Sequence, residues 1–97
     1  MTADPSQPVA VKIKLFGEFR LRAGAAELDL RLGPSPTVRE AMSELRRRFP
    51  TVAPLLPGDE GPLSEYAVVA VNGLVAGADT RLTGGDLVMV LPPFTGG

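Results

Sequence analysis

The chain has 97 residues, ten basic and eleven acidic, with no cysteine, histidine or tryptophan. That length holds one small domain, near the lower end of sizes whose core supports itself, and has no room for a second, catalytic one. The missing residue types exclude thiolate nucleophiles, zinc sites built on Cys or His, and imidazole acid–base catalysis, so a part in chemistry would be that of a substrate or carrier. A net charge of −1 gives no bulk attraction to nucleic acid or acidic membranes, and neither is expected as a partner. Without cysteine there is no disulfide framework, which fits a reducing compartment, and the cytoplasm is the expected location. Met1 to Pro8 lacks the basic start and apolar stretch of a secretory signal and reads as a flexible leader; no apolar run approaches membrane-spanning length.

From Val9 the chain alternates, with Val9, Val11, Ile13 and Leu15 on one side and Lys12 and Lys14 on the other, the period of a half-buried strand. Gly17 to Gly24 reads as a connection carrying Phe19 and Leu21. Glu27 to Leu32 then alternates with its leucines on one face, so the two strands are expected to form an antiparallel hairpin with a wide loop. Gly33-Pro34-Ser35-Pro36 breaks the pattern, and Thr37-Val38-Arg39-Glu40 has the spacing of a capping box that opens a helix. Val38, Ala41, Met42, Leu45 and Phe49 recur at three- and four-residue steps as one apolar stripe, and Pro50 ends it. The cluster Arg46-Arg47-Arg48 complements the helix dipole in a last turn; a phosphate or nucleic-acid patch is the alternative reading.

Thr51 to Leu56 is expected to make a short helical turn that buries Val52, Leu55 and Leu56, and Pro57 to Pro62 a loop. Tyr66 to Val71 reads as a third strand, Asn72-Gly73 as a tight turn, and Leu74-Val75 as the return strand of a second hairpin. Thr83-Gly84-Gly85-Asp86 is a turn with glycines suited to positive φ, leading to a last strand, Leu87 to Leu91. That strand is apolar on both sides: Leu87, Met89 and Leu91 on one, Val88 and Val90 on the other. One helix covers only one sheet face, so an apolar side left bare has the pattern of a docking surface. Val88 and Val90, with Phe16, are the residues expected there.

The sequence finishes Pro92-Pro93-Phe94-Thr95-Gly96-Gly97. Two residues without Cβ beside the final carboxylate leave space for a partner to draw that end into a narrow channel and attack the carboxyl carbon.

These residues resemble the MoaD/ThiS-like sulfur carriers, and among them the small subunit of molybdopterin synthase. The pieces that carry the resemblance are Lys14 to Arg20, Thr37-Val38, Ala70 to Gly73, and above all Leu82-Thr83-Gly84-Gly85-Asp86-Leu87-Val88 running into Leu91 to Gly97. The resemblance implies an α+β fold, the ubiquitin-like β-grasp, with a mixed sheet of about five strands and one main helix packed on one face. The expected division is a leader over 1–8, a body over 9–91 and an extended, flexible tail over 92–97. It further implies that Gly97 is adenylated and then thiocarboxylated, with Gly96, Thr95, Phe94, Pro93 and Pro92 lying in a partner's channel. The chain itself would hold no cofactor and no metal; ATP and Mg would be used by the activating partner.

The implied partners are an adenylyltransferase resembling ubiquitin-activating enzymes, a sulfur donor such as a cysteine desulfurase or rhodanese, and the large subunit of molybdopterin synthase. Phe94 departs from the family, which more often has a small or branched aliphatic residue there. Two alternatives share the activation step: a carrier for another acceptor, as in tRNA thiolation, thiazole or cysteine synthesis, and a ubiquitin-like protein modifier.

Overall fold

The computed structural model describes residues 7–56 and 67–93. In chain order the elements are β1 (Val9–Leu15), α1 (Gly17–Ala23), β2 (Glu27–Leu32), α2 (Val38–Arg48), a 3₁₀ turn (Ala53–Leu55), β3 (Val68–Val71), β4 (Leu74–Ala76) and β5 (Leu87–Leu91). The strands form one mixed sheet in the order β2-β1-β5-β3-β4. β1 pairs antiparallel with β2 and parallel with β5, and β5 pairs antiparallel with β3. This is the ubiquitin-like β-grasp arrangement, with the first and last strands side by side at the centre.

The alternation in β1 and β2 fixes their register. Val9, Val11 and Ile13 stand opposite Leu32, Leu30 and Leu28, while Lys12 and Lys14 stand opposite Asp29 and Glu27. The apolar partners face α2, which buries Val38, Ala41, Met42 and Leu45 against the sheet. Removing that much apolar side chain from water is the main stabilising term for a domain of this size. The 3₁₀ turn closes one end of the core, with Val52 and Leu56 buried and Leu55 partly so.

The start of α2 shows how the chain satisfies its orphan amides. The Thr37 hydroxyl accepts from the Glu40 N–H at 3.4 Å, the Thr half of the expected capping box. The Val38 and Arg39 amides donate to the Thr80 and Ala78 carbonyls, both at 2.9 Å, and Ala41 donates to the Thr37 carbonyl at 3.1 Å. The connection between β4 and β5 thus serves as a backbone cap for the helix.

At the other end of α2 the arginines have local roles. Arg47 pairs with Glu44, and Arg48 Nη1 donates to the Asp29 carbonyl on the edge strand β2 at 2.9 Å.

Two expectations need correction. Gly17 to Gly24 is a helix and not a loop: α1 buries Phe19, 1% exposed, and ends on Gly24 at φ 71°, whose N–H donates to the Arg20 carbonyl at 3.0 Å. Glu18 and Arg22, four residues apart, pair on its outer side, and Thr51 Oγ1 donates to the Arg22 carbonyl at 2.6 Å, tying α1 to the segment after α2. The core is therefore covered by two helices.

The second correction concerns β5, where Val88 and Val90 are both 0% exposed and belong to the core. Their register partners explain it, since Ile13 and Leu15 of β1 flank them on one side and Val71 and Val69 of β3 on the other. All four belong to the inward-facing sets of their strands, so Val88 and Val90 face inward too, and they are not interface residues.

Candidate functional site at the sheet's outer face and the root of the C-terminal segment

With Val88 and Val90 turned inward, Leu87, Met89 and Leu91 point to the face that no helix covers, and each is half-buried by its neighbours in the sheet. The register extends this apolar strip sideways. Met89 is flanked by Ala70 and then Val75, and Leu91 by Val68. Val75 is 81% exposed. On the other flank Lys14 stands beside Met89 and Lys12 beside Leu87, both directed at Glu27 at 3.9 and 3.5 Å. The outer face is thus an apolar strip on β5, β3 and β4 with a charged margin on β1 and β2. A shallow depression of about 470 Å³ lies over that margin, lined by Lys12, Lys14, Glu27, Asp29 and Leu87 among others.

The turn that feeds β5 holds the strip in register. The Asp86 carboxylate accepts from the Thr83 N–H at 2.8 Å, from the Thr83 hydroxyl at 3.1 Å and from Asn72 Nδ2 at 2.9 Å. Asn72 in turn accepts from the Leu87 N–H at 2.9 Å and donates its own N–H to the Leu87 carbonyl at 2.8 Å. Partial burial raises the Asp86 pKa, but the hydrogen bonds from Thr83 and Asn72 outweigh it and hold the carboxyl below the ordinary aspartate range. Asn72 takes φ 52° and Gly73 φ 88°, the left-handed pair that the tight turn between β3 and β4 requires. Gly85, at φ 87°, does the same for the turn into β5.

Beyond Leu91 the chain leaves the sheet from its central strand. The Phe16 N–H donates to the Val90 carbonyl at 3.1 Å, which fastens the end of β5 to the start of α1. Phe16 itself is half-buried and stands apart from the core cluster, Pro92 is exposed and Pro93 half-buried. The other expected site residues, Phe94, Thr95, Gly96 and Gly97, lie outside the described residues, as do the leader to Ser6, the loop over 57–62 and Tyr66.

Among the described residues no three His, Cys, Asp or Glu side chains gather as a metal site would need, and no helix is long and apolar enough to cross a membrane. What the described site offers is an apolar face for contact and, at its edge, a fixed point at which Pro92 and Pro93 leave the sheet.

The sequence profile of the ThiS family matches residues 13–97. Small archaeal modifier protein 1 of Haloferax volcanii is 29% identical over 84 residues, which are 87% of this chain and 97% of that protein. Its crystal structure superposes with a TM-score of 0.80 at 26% identity, covering 89% of this chain and 99% of the other. A protein of Pyrococcus furiosus, given there with reserve as subunit 1 of molybdopterin converting factor, has a TM-score of 0.75 at 36% identity over 89% of this chain and 99% of its own. A chain from the complex of subunits 1 and 2 of that factor from Helicobacter pylori has a TM-score of 0.56 at 18% identity, covering 92% and 100%, a likeness of fold alone.

Proposed function

The chain belongs to the ThiS family of ubiquitin-like sulfur carriers and modifiers, and from that premise we propose that it carries sulfur on its own Gly97 carboxylate, as the small subunit of a molybdopterin synthase. The observation that carries this reading is the joining of an uncovered apolar strip to the root of a diglycine segment on one strand, β5. A partner that grips Leu87, Met89 and Leu91 has the last six residues within its reach, and six extended residues span up to ~20 Å. The body stays at the partner's surface while the carboxylate enters a buried site. Pro92-Pro93 restricts the conformations lost on entry and so lowers the ordering cost.

The chemistry follows from what a carboxylate lacks. Its negative charge repels nucleophiles and its oxygen is a poor leaving group; joining it to AMP, with loss of pyrophosphate from ATP on the activating partner, cures both. The outer sulfur of a donor persulfide then attacks the acyl carbon and displaces AMP, giving an acyl disulfide, and a thiol cleaves its S–S bond, forming a disulfide with the donor sulfur and releasing the thiocarboxylate. The partners' pockets provide the charge stabilisation for these steps. Cytoplasmic location, the adenylyltransferase, the sulfur donor and the large synthase subunit belong to the same proposal, and the 36% identity to the Pyrococcus furiosus protein supports the final acceptor.

A second reading is favoured by the likeness to the Haloferax volcanii modifier: the same adenylate could pass to a lysine amine and form an isopeptide bond. Intact-protein mass spectrometry after incubation with the adenylyltransferase, ATP and a persulfide donor separates the two. Exchange of one terminal oxygen for sulfur, absent in a chain lacking Gly97, is the expected result. Conjugates without that exchange would support the modifier, and neither product would defeat both readings.

A further inference from the structure

Gly17 begins α1 at φ +57°, and a Cβ placed there would stand 2.7 Å from Pro92 Cγ and 3.2 Å from Pro92 Cδ. Carbon atoms in good contact are about 3.5–4.0 Å apart, so any side chain in place of this glycine overlaps the proline. The proline ring is closed onto its own backbone nitrogen and cannot rotate away as a long side chain could. Relief must come from moving either α1 or the backbone at Pro92. α1 is held by buried Phe19, by the Thr51 hydroxyl on the Arg22 carbonyl and by the Phe16 amide on the Val90 carbonyl. β5 is paired with β1 up to Val90 and with β3 up to Leu91. Pro92, just beyond the strand, is the least constrained member. The contact is also specific: at Gly24, Gly33, Gly73, Gly77, Gly84 and Gly85 an added Cβ meets nothing within 4 Å.

We propose that Gly17 is a positioning residue for the C-terminal segment. Its missing side chain lets the Pro92 ring lie against the first residue of α1, and that contact sets the direction in which the chain leaves the sheet at Pro92 and Pro93. The consequence for sulfur transfer rests on the carrier reading; the steric relation does not.

The test uses Gly17→Ala, Pro92→Ala and the double variant, with Gly24→Ala as the control for a left-handed backbone in open space. Because the chain has no cysteine, a nitroxide attached at Leu21→Cys, a position 76% exposed, labels α1 alone. Paramagnetic relaxation of the Phe94 to Gly97 amides then reports where the segment points. Gly17→Ala is expected to change this relaxation profile and Gly24→Ala to leave it as in the parent. The Pro92→Ala single variant and the double variant should share one profile. In activation by an adenylyltransferase, Gly17→Ala should lower kcat/KM on the order of tenfold or more, as a misdirected reacting group does, and Pro92→Ala should remove the difference.

An unchanged profile in Gly17→Ala, an equal change in Gly24→Ala, or a difference that persists without the proline ring would overturn the proposal. If Gly17→Ala alone does not fold, recovery of the fold in the double variant supports it and no recovery overturns it. Failure of the carrier reading shows separately, as no oxygen-for-sulfur exchange on the parent chain.

Discussion

β5 has two sides made of the same kind of residue and given opposite tasks. Val88 and Val90 on the inner side are fully enclosed, whereas Leu87, Met89 and Leu91 on the outer side are half-buried by neighbouring strands and covered by no helix. Hydrophobicity does not distinguish them, since the outer three are as apolar as the inner two. Register does: the inner residues meet Ile13, Leu15, Val69 and Val71, while outward Leu87 and Met89 meet Lys12 and Lys14. The inner side holds the domain together and the outer side is free to hold something else.

The sharpest way to break this contrast is to place a charge on each side in turn. Val88→Asp buries an unpaired carboxylate, which costs roughly 4 kcal/mol or more, a large part of the ~5–15 kcal/mol that holds a domain folded. Denaturant titration should find that chain largely unfolded. Met89→Asp should lose less than about 1 kcal/mol in the same titration and instead abolish binding to the adenylyltransferase in a pull-down. Equal losses of stability would erase the distinction between the sides. Truncation is gentler: Val90→Ala removes two buried carbon groups, or about 2 kcal/mol, and Leu91→Ala should cost clearly less.

The Asp86 network sharpens the comparison from the turn, because it anchors the start of β5 in that register. Asp86→Ala should lower stability by about 1–2 kcal/mol through lost hydrogen bonds to a charged acceptor. Since the folded-state pKa of Asp86 lies below its unfolded value, the unfolded chain binds more protons between the two. Its stabilisation is fully present above the ordinary aspartate value of 3.8 and is lost as pH falls through the folded value. The acid limb of a pH–melting curve should therefore be shallower in Asp86→Asn.

The smallest effect belongs to the charged margin. Lys12→Ala, which removes an exposed ion pair with Glu27, should change stability by no more than about 1 kcal/mol, and thermal melting in low and high salt would check it.

The sequence made most elements legible because each carried a pattern and a stop: β1 and β2 by alternation, β5 by its apolar run behind a glycine turn, and α2 by its stripe between Thr37 and Pro50. α1 was hidden because six residues between two glycines look like a loop, although Phe19 and Ala23 at a four-residue step and the Glu18–Arg22 pair were its signal. The inward side of β5 was hidden for a different reason. Within a strand apolar on both sides nothing marks the core, and only pairing with β1, whose lysines show which way is out, decides it. Of the proposed site, the diglycine and the two prolines are features of the sequence itself. Gly17 could not, because its meaning lies in a contact with Pro92, far along the chain.

The parallel pairing of β1 with β5 has a consequence for biogenesis. β1 waits for its central neighbour until the residues up to Leu91 have been made, and the sheet closes only after both helices and the other strands have left the ribosome. A product stopped before Leu87 would lack the middle of its sheet, so a folded body reports that β5 has been made.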